Sequence, residues 1–239
     1  MSTTLSNQPA LSSPRTYDAS RLSTRFGLAF AICQLGVMVC MSIFVLPHGG
    51  SPHDSALVRG NSVHDADTYY RVGNYVFMIS GILLLGFLGA VGTRLRRVDP
   101  SGALAGVAVA AGTLVALVWP MAAMLHDVAL DTAAAGTDPR ILGAWDAVAP
   151  YSLAFSALPR LFLVGALVLG MRAVGATPWL TRAGVGILVL SAVGSATLLT
   201  GDMFPVLALS TLAFEVWVGA VAFAWLRDRT APSASEVRR

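Results

Sequence analysis

The chain contains no lysine; all 16 of its basic residues are arginine. That excludes any mechanism built on a lysine Schiff base. Beside the abundant alanine and glycine, it reads as the codon usage of a GC-rich genome. Charge of either sign is scarce. Only 12% of the 239 residues are charged, against about 25% in a soluble domain. Cysteine is limited to Cys33 and Cys40. On one helix their separation corresponds to about 10 Å of rise, too far for a disulfide, which needs Cα atoms within about 7 Å. They read as small apolar packers. Also missing are a Walker loop, a nucleophile elbow, a zinc-protease histidine pair and a haem-attachment motif. No cofactor is therefore expected. The arginines do not cluster as a nucleic-acid footprint requires, so nucleic acid is not an expected partner.

What the chain does have is apolar sequence in long runs. Hydrophobic residues make up 55% of it and the mean hydropathy is +0.68. Six runs lie near the roughly 20 residues that cross a bilayer: 27–46, 73–93, 102–124, 151–171, 183–200 and 205–226. The expected fold is all-α, a polytopic membrane protein with six transmembrane helices in one bundle and the lipid bilayer as its first partner. Residues 1–26 read as a polar, disordered tail and 227–239 as a second one. No cleavage signature follows the first run, so it is expected to remain as a signal anchor.

Arginine placement gives the orientation. With the N-terminus in the cytoplasm, the inner segments hold twelve arginines and the outer loops three, Arg59, Arg71 and Arg140. Both termini are thus expected in the cytoplasm, with the chain in the inner (plasma) membrane. The two longer loops, 47–72 and 125–150, then face outward. They carry all four histidines and most of the aspartates. The second is expected to hold a short surface helix over 138–148, with Trp145 at the interface. Imidazole and carboxylate are metal-ligand chemistry, but none of the spacings around His48, His53, His64 and His126 is a ligand motif. A solvated loop or helix caps fit those residues better than a metal site. Trp119-Pro120 reads as an interfacial kink.

Two internal features stand out. Gly92-x-Arg94-x5-Pro100-x4-Ala105-Gly-Val107 recurs 78 residues later as Gly170-x-Arg172-x5-Pro178-x4-Ala183-Gly-Val185. This is either a duplicated hairpin or the ordinary composition of short inner loops. In a duplication, Arg160 falls where the first copy has Ile82. Separately, Pro178-Trp-Leu-Thr-Arg-Ala-Gly184 precedes a span, a short turn and a last span that carries Trp217 and leaves through Leu226-Arg-Asp-Arg229. This pattern resembles a broad group of uncharacterised actinobacterial multi-spanning integral membrane proteins. The likeness covers the last third well and the first half loosely, on weak Pro, Trp and Gly motifs. It implies an inner-membrane protein, no particular activity, and no residue role.

The two costliest residues to place are Arg160, inside the fourth run, and Glu215, at similar depth in the sixth. Arg160 lies about 13 Å below the outer end of its span. Snorkelling leaves it short of the headgroups, and an arginine at a helix centre costs about 2.5–3.5 kcal/mol. Something polar must meet it. Glu215 is the expected partner, and the Phe155 carbonyl, freed by Pro159, a local acceptor. Ser152, Ser156 and Arg160 form a stripe at i, i+4, i+8. Thr211 precedes Glu215 by one turn, Gln34 lies at comparable depth, and Ser191 and Asp202 could extend the set. The functional reading is an outward-facing polar pocket, lined by Arg160, Glu215, Gln34, Ser156, Ser152, Thr211 and Asp202, for an amphipathic anionic small molecule. The competing structural reading is an Arg–Glu pair that fixes helix register. Two further activities fit the same residues. One is a small transporter, assembled as a homo-oligomer, with Glu215 as its proton or ion site. The other is a membrane-embedded enzyme acting on an apolar substrate, with Glu215 or an outer aspartate as the acid.

Overall fold

A computed structural model of the chain describes residues 19–45, 47, 54–134, 136–175 and 177–227. The two tails, 1–18 and 228–239, lie outside the described residues, as do His48 and His53. Seven α-helices account for nearly all that is described, and there is no strand among the described residues. Six of them are long and apolar enough to cross a membrane. This is a multi-pass helical membrane protein.

The helices are α1 (Ala19–Cys40), α2 (Ala56–Asp65), α3 (Asp67–Val98), α4 (Ala103–Ala134), α5 (Pro139–Ala173), α6 (Pro178–Gly194) and α7 (Phe204–Arg227). Most exceed the predicted runs, because a helix keeps its backbone bonded beyond the edge of the hydrocarbon, where polar side chains are tolerated. The first helix starts inside the stretch expected to be tail. Ser23 anchors it by donating to the Gly86 carbonyl and accepting from the Ala90 amide, 2.7 Å away. A single π-helical segment, Met41–Val45, ends it.

One expectation about the connections needs correction. The surface helix foreseen over 138–148 is the first part of α5, which runs unbroken through Pro150 for 35 residues. That is about 52 Å of helix, well beyond a hydrocarbon core of about 30 Å, so its first turns project past the membrane. The other long loop, 47–72, in which no apolar run marks a helix, contains α2. Ser55 caps α2 through Val58 N, and the helix lies against the projecting part of α5. Contact there is backbone to backbone: a Cβ on Gly60 would collide with the Pro139 carbonyl, and one on Gly143 with that of Ala56.

The main core extends from Leu95 and Met171 to Trp119, and a separate cluster of Val45, Val63, Ala66, Tyr70 and Leu130 lies beyond it. Trp119 was expected at the interface. It is 2% exposed instead, held between Phe30 and Phe77. The residues at the two repeat-related positions are packed differently: Ile82 is 64% exposed while Arg160 is fully buried. The two hairpins do not bury corresponding faces.

Candidate functional site

Of the residues singled out in the sequence, Gln34, Ser152, Ser156, Arg160, Thr211 and Glu215 are all buried. Asp202 is not among them. It is exposed in a 3₁₀ turn before α7, where Thr200 contacts its carboxylate at 3.3 Å.

Arg160 is held by hydroxyls. Its Nη2 donates to Ser156 Oγ at 2.7 Å and Thr211 Oγ1 at 3.1 Å, and its Nη1 to Ser210 Oγ at 3.3 Å. Each hydroxyl in turn passes its own proton to a carbonyl one turn earlier: Ser156 to Leu153, and Ser210 and Thr211 to Leu207. That leaves the oxygen lone pairs facing the guanidinium. The reach back to Ser156 follows from helix geometry, since side chains lean toward the N-terminus and onto i−4. The Phe214 ring lies under the guanidinium, 5.0 Å from centroid to Cζ, a cation–π contact. Phe30 continues the aromatic contact toward Trp119. The freed Phe155 carbonyl is not a partner among the described residues, and Phe155 itself is exposed.

The expected ion pair is absent: among the described residues, no carboxylate lies within salt-bridge distance of Arg160. The charges of Arg160 and Glu215 act on each other only through space. Ser210, Thr211 and Phe214 of α7 contact the guanidinium, while Thr211, Glu215 and Gly219 follow one another along one stripe of that helix at i, i+4, i+8. Gly219 packs so closely on α1 that a Cβ there would stand 2.7 Å from that of Ala31. Because α1 and α7 are antiparallel, the Ala31–Gly219 contact brings Gln34 level with Glu215, one turn further out. A similar register operates on α6. Gly194 lies against Leu207 and Ser210, so Ser191, one turn away, comes level with Thr211.

These groups are not satisfied. Gln34 Nε2, Arg160 Nε, Ser191 Oγ and Glu215 Oε2 are all buried without a hydrogen-bond partner. Such groups are uncommon in a folded protein, because each forfeits its solvation without compensation. The four lie at similar depth in their helices and leave donors and acceptors unused. Arg160 and Glu215 are 0% and 1% exposed, so the site is enclosed and not an open outward pocket; Ala154, Ala157 and Leu207 pack together about one turn further out, with Phe204 against them.

Sequence reasoning missed Ser210 and Phe214. The signal was available: with Thr211 they share the α7 face that precedes Glu215, and a buried guanidinium needs acceptors.

A second polar cluster lies near the end of the bundle where α2 sits. Arg59 of α2 meets Asp146 of α5 through Nε at 2.9 Å and Nη2 at 2.5 Å, both side chains 3% exposed. The other Asp146 oxygen is 3.4 Å from His126 Nε2. His126 Nδ1 is 3.1 Å from Asn74 Oδ1, and Asn74 Nδ2 donates to Asp127 at 2.7 Å. Of the outer histidines and aspartates, His126, Asp127 and Asp146 thus enter one network. No three metal-ligating side chains converge among the described residues.

The chain matches no protein-family model, no curated protein and no solved structure.

Proposed function

We propose that this protein binds the anionic group of an amphipathic small molecule at the Arg160 cluster, in the plasma membrane with both termini cytoplasmic. One observation carries the reading. The guanidinium is fully buried and its hydrogen bonds go to neutral hydroxyls beside an aromatic face, while Glu215 acts on it only through space, without a salt bridge. A structural arginine would be expected to pair with the nearby glutamate, since a buried charge is tolerated when matched. An anion arriving at Arg160 Nε would supply the missing countercharge. Gln34 Nε2 and Ser191 Oγ are further donors at that depth. The apolar seal of Ala154, Ala157 and Leu207 must move for entry, with Ser152 marking the path.

Binding is tested by thermal stabilisation of the purified protein in neutral detergent with dodecyl phosphate as the probe. A site ligand at about 100 times its Kd stabilises by about 2.7 kcal/mol. Arg160→Gln should abolish that stabilisation while remaining folded. Undiminished stabilisation in the variant would end the proposal.

A second reading, a proton- or ion-coupled transporter, is favoured by Glu215, whose Oε2 is buried with no donor. Intramembrane carboxyls commonly mark ion paths. It requires solute flux in proteoliposomes that depends on a proton gradient and is uncoupled by Glu215→Gln.

A further inference from the structure

Every seventh residue along one face of α5 is a large apolar side chain turned outward: Ile141, Val148, Phe155, Phe162 and Leu169 are between 42% and 64% exposed. Three residues after each of the first four come Ala144, Tyr151, Leu158 and Gly165. The first three of these are exposed too, and a Cβ on Gly165 would meet open space. This is the a/d pattern of a helix that pairs with another as a left-handed coiled coil. The opposite face of α5 holds Asp146, Arg160 and Leu167, all buried, so the seam points away from the chain's own core. A stripe that faces lipid can share the spacing, but it ends where the membrane does. That of α4 passes Met121 and Val128 and then meets the exposed Asp131. The α5 seam continues. Counted back from Arg172, a hydrocarbon core of about 30 Å is used up near Tyr151. Ile141 stands about 15 Å further out, past a headgroup layer of about 5–7 Å, and is still half exposed. Lipid tails do not reach it there, and exposure of the seam to water is unfavourable.

We infer that α5 pairs in parallel with α5 of a second copy of this chain, about a two-fold axis along the membrane normal. Three features select that occupant. First, the covering surface must be apolar through the hydrocarbon and past it by the same amount. The α5 seam is such a surface, and copies inserted in one orientation present it to each other in register, as a self-complementary two-fold contact requires. Second, the area suffices. With about 150–250 Å² for each aromatic side chain, the exposed fractions from Ile141 to Leu169 amount to on the order of 700 Å², close to the roughly 800 Å² per partner of a standard interface. Third, Arg140 and Trp145, both exposed, occupy the g and e positions that meet across a parallel pair. Each guanidinium then reaches the indole ring of the other copy in a cation–π contact. Gly165 lets the two helices approach closely within the membrane, where packing rather than the hydrophobic effect holds helices together. The seam lies across the helix from the Arg160 cluster, so either can fail alone.

The test is disulfide crosslinking of the full chain in native membranes, with Cys33→Ala and Cys40→Ala as the background. Ile141→Cys and Phe155→Cys each place one thiol on the seam. Met121→Cys places one on the lipid face of α4 and measures random collision. Both seam variants should give a species of twice the 24.9 kDa chain mass, at a yield about fivefold or more above Met121→Cys, since facing a and d positions bring Cα atoms within disulfide reach. Adding Ile141→Asp to Phe155→Cys sets like charges against each other across the two-fold axis and should lower that yield about tenfold. Thermal unfolding of the solubilised chain should be unchanged by it, because Ile141 is half exposed. Equal yields at all three positions, or none at the seam, would overturn the interface. A crosslinked species of any other mass would assign the face to a different protein and overturn the second copy as its occupant. A dimer that persists undiminished with Ile141→Asp would overturn the part of the seam outside the membrane.

Discussion

Gly219 of α7 rests on Ala31 of α1 with no room between them for another methyl group. That one contact sets Gln34 level with Glu215. The arginine is left with hydroxyls, and the glutamate with an unpartnered oxygen. If the register is real, Gly219→Val must push α1 away, costing about 1–3 kcal/mol as overpacking does. Ala31→Gly should restore part of that loss. Thermal unfolding of the two single variants and the double variant measures it, and additive effects would argue against the contact.

Because Arg160 and Glu215 are not an ion pair, removing both charges together should not destabilise the fold. Arg160→Met with Glu215→Leu is expected to melt at or above the wild-type temperature, by analogy with buried charges replaced by packed apolar groups, a change often worth about 1–4 kcal/mol. Dodecyl phosphate binding should disappear. A large loss of stability would favour the purely structural reading.

The Arg59–Asp146 pair is the reverse case. Both side chains are 3% exposed and bonded to each other. Arg59→Met leaves the Asp146 carboxylate with its strongest donor gone, a change that typically costs about 3–5 kcal/mol. The effect should be local. α2 should detach from α5 and its amides exchange hydrogen faster, while those of α7 keep their protection. Hydrogen exchange read by mass spectrometry distinguishes this from global unfolding.

Asp99, in the turn between α3 and α4, gives a pH-dependent signal. Its carboxylate accepts from the Leu104 amide at 2.9 Å, from the Ser101 amide at 3.1 Å and from the Ser101 hydroxyl at 2.6 Å. These bonds favour the ionised form and hold its pKa below the ordinary 3.8, the Leu104 bond contributing most. A lowered pKa contributes stability that is present above the unfolded value and lost as pH falls through the folded one. The first turn of α4 should therefore keep its exchange protection at neutral pH and fray only below about pH 4. Asp99→Ala should show the frayed behaviour at every pH.

Legibility from sequence followed the range of the forces involved. Six apolar runs of membrane-crossing length determine six helices, because every backbone amide in hydrocarbon must be bonded within its own helix. The burial of Arg160, Glu215, Gln34, Ser156, Ser152 and Thr211 was likewise readable, since a polar residue at that depth must turn inward. Asp202 was misplaced because the length of a short turn does not say which way its side chains face. The surface helix expected over 138–148 is continuous with the fourth span, because a proline can be carried within a helix whose neighbours hold it.

The sequence alone thus determined the class of protein and the inventory of its buried charges: composition and spacing are enough when the solvent is a bilayer. Which charge meets which partner was decided only by the tertiary structure. Close contact between Gly219 and Ala31 sets the register of α7 on α1, and hydroxyls from two helices converge on the guanidinium. Helix rotation depends on side chains from several distant segments packing at once, and no single stretch of chain encodes it.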